Sequence, residues 1–224
     1  MRLSILSLIS LAATTASQPI VSTKQGKIQG NSTQDAYAFW KVPYAKQPIG
    51  NLRFKPPQPD DSITDLLDAS SPPKPGDACI QVGVDKDLNL PDPSLGAFGR
   101  EDCLTLDIYT SALDSEGNVI DTSNLKPVMF WITGGGGVFG GSYYFAANDD
   151  AAIEPTYDMR ALVGSKDVVG VSINYRLGAL GGLGLHALQN EEGSQGSTGN
   201  YAHQDVHMAL RWVQDNIATF GGDP

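Results

Sequence analysis

The chain has 224 residues, 41% hydrophobic and 18% charged, with a formal net charge of −10 from 25 acidic and 15 basic residues. Length and composition set one ordinary globular domain with a real core as the expectation and exclude disorder over most of the chain. The acidic balance argues against nucleic acid and anionic membrane surfaces as partners.

The first residues, 1–17, read as a signal peptide. Arg2 gives a positive start, Leu3 to Ala13 form an apolar run, and Thr14, Thr15, Ala16 and Ser17 are small residues suited to cleavage. The run is too short for a membrane anchor, which needs about 20 apolar residues, and no later stretch is longer. No transmembrane segment is expected; a secreted, extracellular protein is. Residues 18–224 then form the folded domain. Asn31-Ser32-Thr33 is a glycosylation sequon with Asn31 as acceptor.

Val21 to Gly30, with Gly26 between two β-prone pieces, reads as a small hairpin. From Val42 to about Pro93 the chain is Pro-rich and poorly periodic, with Pro56-Pro57 and Pro72-Pro73, and is expected to be loop. The two cysteines, Cys79 and Cys103, allow one intramolecular pairing. A bridge would contribute about 3–4 kcal/mol in the chain-entropy model, and two free buried thiols are the alternative.

Leu104 to Thr110 alternates like a strand. Pro127 to Ile132 and Val168 to Ile173 are apolar without alternation, as in strands of a parallel sheet covered on both faces. Between them Pro155 to Gly164 is expected to be the crossover helix. In Asp205 to Phe220, Val206, Ala209, Leu210, Val213, Ile217 and Phe220 recur at spacings of three and four, a helical stripe that Gly221 and Gly222 stop. The class is α/β. A helix ending in Gly-Gly-Asp-Pro after a parallel strand is expected to feed another strand.

Gly134 to Gly141 reads Gly-Gly-Gly-Gly-Val-Phe-Gly-Gly directly after a buried strand. Such a run lets the backbone approach a ligand and present successive N–H groups. Three readings compete: an oxyanion hole, a dinucleotide fingerprint in which Gly135, Gly137 and Gly140 fit Gly-x-Gly-x-x-Gly, and a purely structural turn. The dinucleotide reading wants a helix N-terminus straight after the glycines, whereas Ser142 to Phe145 and Asn148 to Asp150 look like loop. Export also argues against a nicotinamide cofactor.

The neighbouring motifs favour the oxyanion hole. Glu101-Asp102-Cys103-Leu104-Thr105-Leu106-Asp107, Asn174-Tyr175-Arg176-Leu177-Gly178 and Gly199-Asn200-Tyr201 stand in order along the chain. So do Ala209-Leu210-Arg211-Trp212-Val213 and Phe220-Gly221-Gly222-Asp223-Pro224. Together they resemble the signatures of type-B carboxylesterases, cholinesterases and secreted lipases.

The resemblance implies the N-terminal half of an α/β-hydrolase fold, with a mostly parallel sheet flanked by helices. It also implies ester hydrolysis through a serine acyl-enzyme, acting on a small-molecule or lipid ester without cofactor or metal. It makes the N–H groups of Gly135 and Gly136 oxyanion donors and pairs Cys79 with Cys103. Arg53–Glu101 and Arg176–Asp205 become buried ion pairs. The nucleophile elbow, Gly-Glu-Ser-x-Gly, would follow Pro224 after one short strand, so the 224 residues by themselves are expected to be inactive and poorly soluble. Ser142 and Ser194 do not sit in such an elbow.

Thr133 and Gly137 depart from the family's usual residues around the glycines, which leaves a non-catalytic binding or adhesion protein as the alternative. His186, His203 and His207 are expected to be surface or interhelix residues, and no His/Cys/Asp grouping has metal spacing.

Overall fold

The computed structural model describes residues 18–33, 36–60, 65–85, 90–144 and 155–224. The expected signal peptide lies outside the described residues. Near the start, β1 (Ile20–Thr23) and β2 (Gly26–Gln29) form the expected antiparallel hairpin, paired from Ile20–Gln29 to Thr23–Gly26. The turn residues are Lys24 and Gln25, with Gly26 opening the second strand at φ 138°.

β3 (Asn31–Ser32) and β4 (Tyr37–Pro43) lead into the main sheet. The Pro-rich stretch is mostly irregular but carries short strands: β5 (Leu66–Asp68) beside β2, β6 (Gln81–Val82), β7 (Val84–Asp85), β8 (Leu90–Pro91) and β9 (Ala97–Phe98). β6 pairs with β9 and β7 with β8.

The core sheet is completed by β10 (Thr105–Thr110), β11 (Val128–Ile132) and β12 (Val169–Ile173), in the order β11-β12-β10-β4-β3. The expectation of a mostly parallel sheet is corrected here. Only β11 and β12 run parallel; the pairings β12–β10, β10–β4 and β4–β3 are antiparallel. The physical reason is connection: among the described residues, only β11 and β12 are joined by a helix-bearing crossover, the geometry that parallel neighbours require.

That crossover helix, α1 (Arg160–Ser165), starts later than the sequence pattern suggests. Asp158 accepts hydrogen bonds from the Arg160 main-chain N–H at 3.1 Å and from its guanidinium, which fixes the helix start two residues past the carboxylate. Two short helices follow, α2 (Gly178–Gly182) and α3 (His186–Gln189).

The long helix α4 (Tyr201–Asn216) starts one turn earlier than the apolar stripe. Tyr201 and Asp205 are both buried against Arg176, so its first turn is held by polar contacts that hydrophobic spacing does not register. It tightens to a 3-10 turn over Ile217–Phe220 and stops at Gly221 with φ 83°.

Period-two alternation divides the sheet side chains. Phe39, Leu106, Ile108, Val171 and Ile173 face the α4 residues Ala209, Trp212 and Val213, and Phe220 closes edge-on over Phe39. Trp40, Tyr109 and Gly170 face the other layer, with Met159 and Val163. β12 is buried along its whole length, whereas β11, the outer strand of the sheet, is half-buried and exposes Trp131 and Ile132. Among the described residues, no helix is long and apolar enough to cross a membrane.

Candidate active site

The glycine run leaves the end of β11 as a loop that folds back on itself. Gly135, Gly136, Gly137 and Gly140 have φ of 106°, 63°, 71° and 117°. A Cβ on Gly135 would lie 2.0 Å from the Phe139 carbonyl oxygen, and one on Gly140 would lie 2.8 Å from Gly134 O and Thr133 Oγ1. Glycine is required at both positions, because the start and end of the loop press against each other. Val138 N–H donates to Gly135 O at 3.0 Å across the resulting turn.

Five hydrogen bonds from four residues fasten the loop to its surroundings. The Tyr175 hydroxyl donates to Thr133 O at 2.7 Å, and Gly178 N–H donates to Gly137 O at 2.7 Å. The Gln81 amide bonds to both sides of Gly140, accepting from its N–H at 2.8 Å and donating to its oxygen at 2.9 Å. Asn174 Oδ1 accepts from Ser142 N–H at 2.8 Å. Among the described residues, no acceptor bonds to the N–H groups of Gly135 and Gly136. A loop held at both ends with two free donors between them suits an oxygen that gains negative charge.

Near Ser142, just past the loop, lies a buried carboxylate, Asp107. β4 carries a bulge where Trp40 and Lys41 together oppose Asp107, and Lys41 adopts φ 58°. Asp107 Oδ1 accepts the Lys41 N–H at 2.9 Å, closing the bulge; Oδ2 has no hydrogen-bond partner among the described residues. Burial raises the Asp107 pKa to about 6, against a weaker lowering by the Ser142 hydroxyl and the Lys41 N–H.

Cys79 and Cys103 are joined as a disulfide with S–S 1.99 Å. Arg176 and Asp205 are side-chain buried, at 3% and 0% exposure, with Nη2 to Oδ1 at 2.7 Å. Arg53 Nε and Nη2 reach Glu101 at 2.6 and 2.7 Å, but this pair is not buried: the side chains are 47% and 27% exposed. Arg53 follows a surface 3-10 turn over Gly50–Leu52, which keeps its guanidinium at the rim.

Asn31 is half-buried and its amide donates to Ser70 O at 3.1 Å. His186, His203 and His207 are exposed. Ser142 and Ser194 are buried, and the Ser194 hydroxyl donates to Gln189 O at 2.6 Å, which fits a loop-holding role.

Sequence reasoning did not single out Gln81, Asn174, Tyr175 or Asp107 as site residues. Three of them stand inside the quoted motifs. Gln81 is marked only by its place two residues after Cys79.

A model described as the carboxylesterase family matches residues 17–224. Carboxylesterase 1E of Mus musculus is 41% identical across 100% of this chain and 38% of its own length. Acetylcholinesterase-1 of Trittame loki is 40% identical across 92% of this chain and 33% of its own. Carboxylesterase EST55 of Geobacillus stearothermophilus superposes with TM-score 0.68 at 32% identity, over 92% of this chain and 36% of that one. This chain thus spans little more than a third of the length of these relatives, and its mixed sheet with flanking helices is the corresponding part of their α/β-hydrolase fold. From the order of its motifs, its fold and these matches together, the chain belongs to the carboxylesterase family.

Proposed function

We propose that the full-length protein hydrolyses carboxylic esters, with Gly135 and Gly136 supplying two of the donors of its oxyanion hole. A serine hydroxyl outside these residues attacks the acyl carbon, the carbonyl oxygen becomes an oxyanion, and its charge is met by the two N–H groups. The ester C–O bond breaks, the alcohol leaves with a proton, and water releases the acid from the acyl-enzyme. The substrate is a small-molecule or lipid ester, and the reaction calls for neither cofactor nor metal.

The observation that carries this reading is the loop itself: two consecutive glycine N–H groups without acceptors among the described residues, between ends fixed by Tyr175 and Gln81. The protein is further read as exported by the leader in 1–17 and glycosylated at Asn31, both open to analysis of the mature product by mass spectrometry.

The test of the catalytic reading is hydrolysis of short-chain aryl esters by the full-length protein, together with labelling by a serine-reactive phosphonate. Turnover that the phosphonate abolishes supports it. A folded full-length protein that neither hydrolyses nor labels is instead a binding relative, the outcome to which the substitutions at Thr133 and Gly137 would then point.

A further inference from the structure

We infer that Gln81 is a positioning residue for the oxyanion loop, transmitting the anchorage of the Cys79–Cys103 disulfide to Gly135 and Gly136; this rests on the esterase reading proposed above. Gln81 is only 6% exposed although it lies in a stretch of irregular chain and short two-residue strands. A buried primary amide has two donors and one acceptor to satisfy, and here they are engaged on two neighbouring backbones. Oε1 accepts Gly140 N–H at 2.8 Å, and Nε2 donates at 2.9 Å both to Gly140 O and to Cys79 O. The side chain thus imitates a β-strand neighbour, pairing with Gly140 from both sides as a peptide group would.

The grip sits where it controls the donors. Gly140 presses against Gly134 and Thr133, and Phe139 O presses on Gly135, so the loop's end defines the position of its beginning. On the far side, Cys79 is bonded to Cys103 and bridges to Arg100, while Thr105 opens the central strand β10 two residues after Cys103. A continuous path therefore runs from the sheet through the disulfide and Gln81 to Gly140. Other clamps act elsewhere: Tyr175 holds Thr133 and Asn174 holds Ser142. Gly140 has no other hydrogen bond of its own among the described residues.

Hydrogen bonds that hold an oxyanion hole matter most when charge has developed, so their loss lowers kcat more than it raises KM. Gln81→Ala in the full-length protein is expected to lower kcat roughly 10–100-fold on an aryl ester, with KM within about 2-fold, given that a whole donor is worth about 10²–10³ in kcat. Affinity for a trifluoromethyl ketone, whose adduct places an oxyanion in the hole, falls by the same factor. Gln81→Glu gives a second, near-isosteric variant. Ionised, it repels Gly140 O; protonated, it can donate to that oxygen and accept from Gly140 N–H, so its activity relative to the unchanged protein rises as pH falls.

Hydrogen exchange of the 134–141 amides provides a readout independent of turnover, with faster exchange expected at Gly140 in both variants. Unchanged kcat and unchanged exchange in both variants overturn the inference. If the unchanged protein does not hydrolyse esters, the esterase reading fails on its own. Exchange at Gly140 then decides whether Gln81 holds the loop: faster exchange in the variants supports the clamp and unchanged exchange removes it.

Discussion

Asp205 on α4 accepts three hydrogen bonds from Arg176 at the end of β12: from Nε at 2.9 Å, from Nη2 at 2.7 Å and from its main-chain N–H at 3.0 Å. Arg176 Nη1 donates to Lys55 O at 2.8 Å, and the guanidinium lies 5.2 Å over the Tyr201 ring. The pair fastens helix to sheet in a buried setting, where either charge alone would be stranded.

Asp205→Ala is therefore expected to cost about 3–5 kcal/mol, because it leaves an uncompensated buried guanidinium. Arg53→Ala removes an equally well-formed but solvent-screened pair and is expected to cost far less. Urea midpoints of the two variants, compared with the unchanged protein, check the contrast. Equal losses would mean that burial does not govern these pairs.

Asp107 makes stability depend on pH in an unusual direction. Its folded pKa of about 6 lies above the ordinary 3.8, so the folded protein binds the extra proton between those values. The sign follows: stability falls as pH rises from about 4 to 6, by about 2–3 kcal/mol in total, and stays lower above that window. Asp107→Asn keeps an acceptor for the Lys41 N–H and offers its amide toward Ser142 or toward Ser172, its cross-strand neighbour, whose hydroxyl has no partner among the described residues. The variant should be more stable than the unchanged protein at pH 7.5 and lose that advantage at pH 4. Denaturation at the two pH values measures it.

Two glycines of the loop should respond differently to a methyl group. At Gly135 the added Cβ meets the Phe139 carbonyl at 2.0 Å, so Gly135→Ala must shift the loop. At Gly136 the Cβ meets nothing within 4 Å and φ is 63°, so Gly136→Ala pays only the left-handed backbone cost of about 1–2 kcal/mol. Ester turnover by the full-length variants should fall at least about 100-fold for the first and much less for the second.

The segment 18–224 expressed alone should self-associate. Among the described residues β11 pairs with β12 on one side only, and Trp131 and Ile132 are exposed on it. After α4 the chain returns to this same edge, where Gly222 bridges Lys126 in parallel, just ahead of Val128. An apolar strand with one open edge templates pairing with a second chain. Sedimentation should show dimers and larger species; a monomer with a cooperative melt would contradict the expectation.

Much of this architecture is legible in the sequence where a local pattern dictates it. The β12 run, the glycine stop at Gly221 and the existence of a hairpin within 21–30 follow from periodicity and turn chemistry, although its turn falls at Lys24 and Gln25, just ahead of Gly26. The start of α4 is not legible, since Tyr201 and Asp205 are placed by Arg176, 25 and 29 positions away. Strand direction within the sheet also escapes, because β10 and β12 look alike whether their neighbour is parallel or antiparallel. In the candidate site, the glycine run 134–141 stands out by composition, whereas the choice of Gly135 and Gly136 within it comes from the family resemblance. Gln81 does not stand out, since one glutamine in a loop reveals its role only when its bonds to Gly140 are seen.

The most direct test of the central claim is a burst experiment on the full-length protein with an activated aryl ester. The account predicts rapid release of one equivalent of the aryl alcohol per chain, followed by slower steady turnover, and loss of the burst after phosphonate treatment. No burst, no turnover and no labelling from a folded protein would contradict an acyl-enzyme mechanism at this loop.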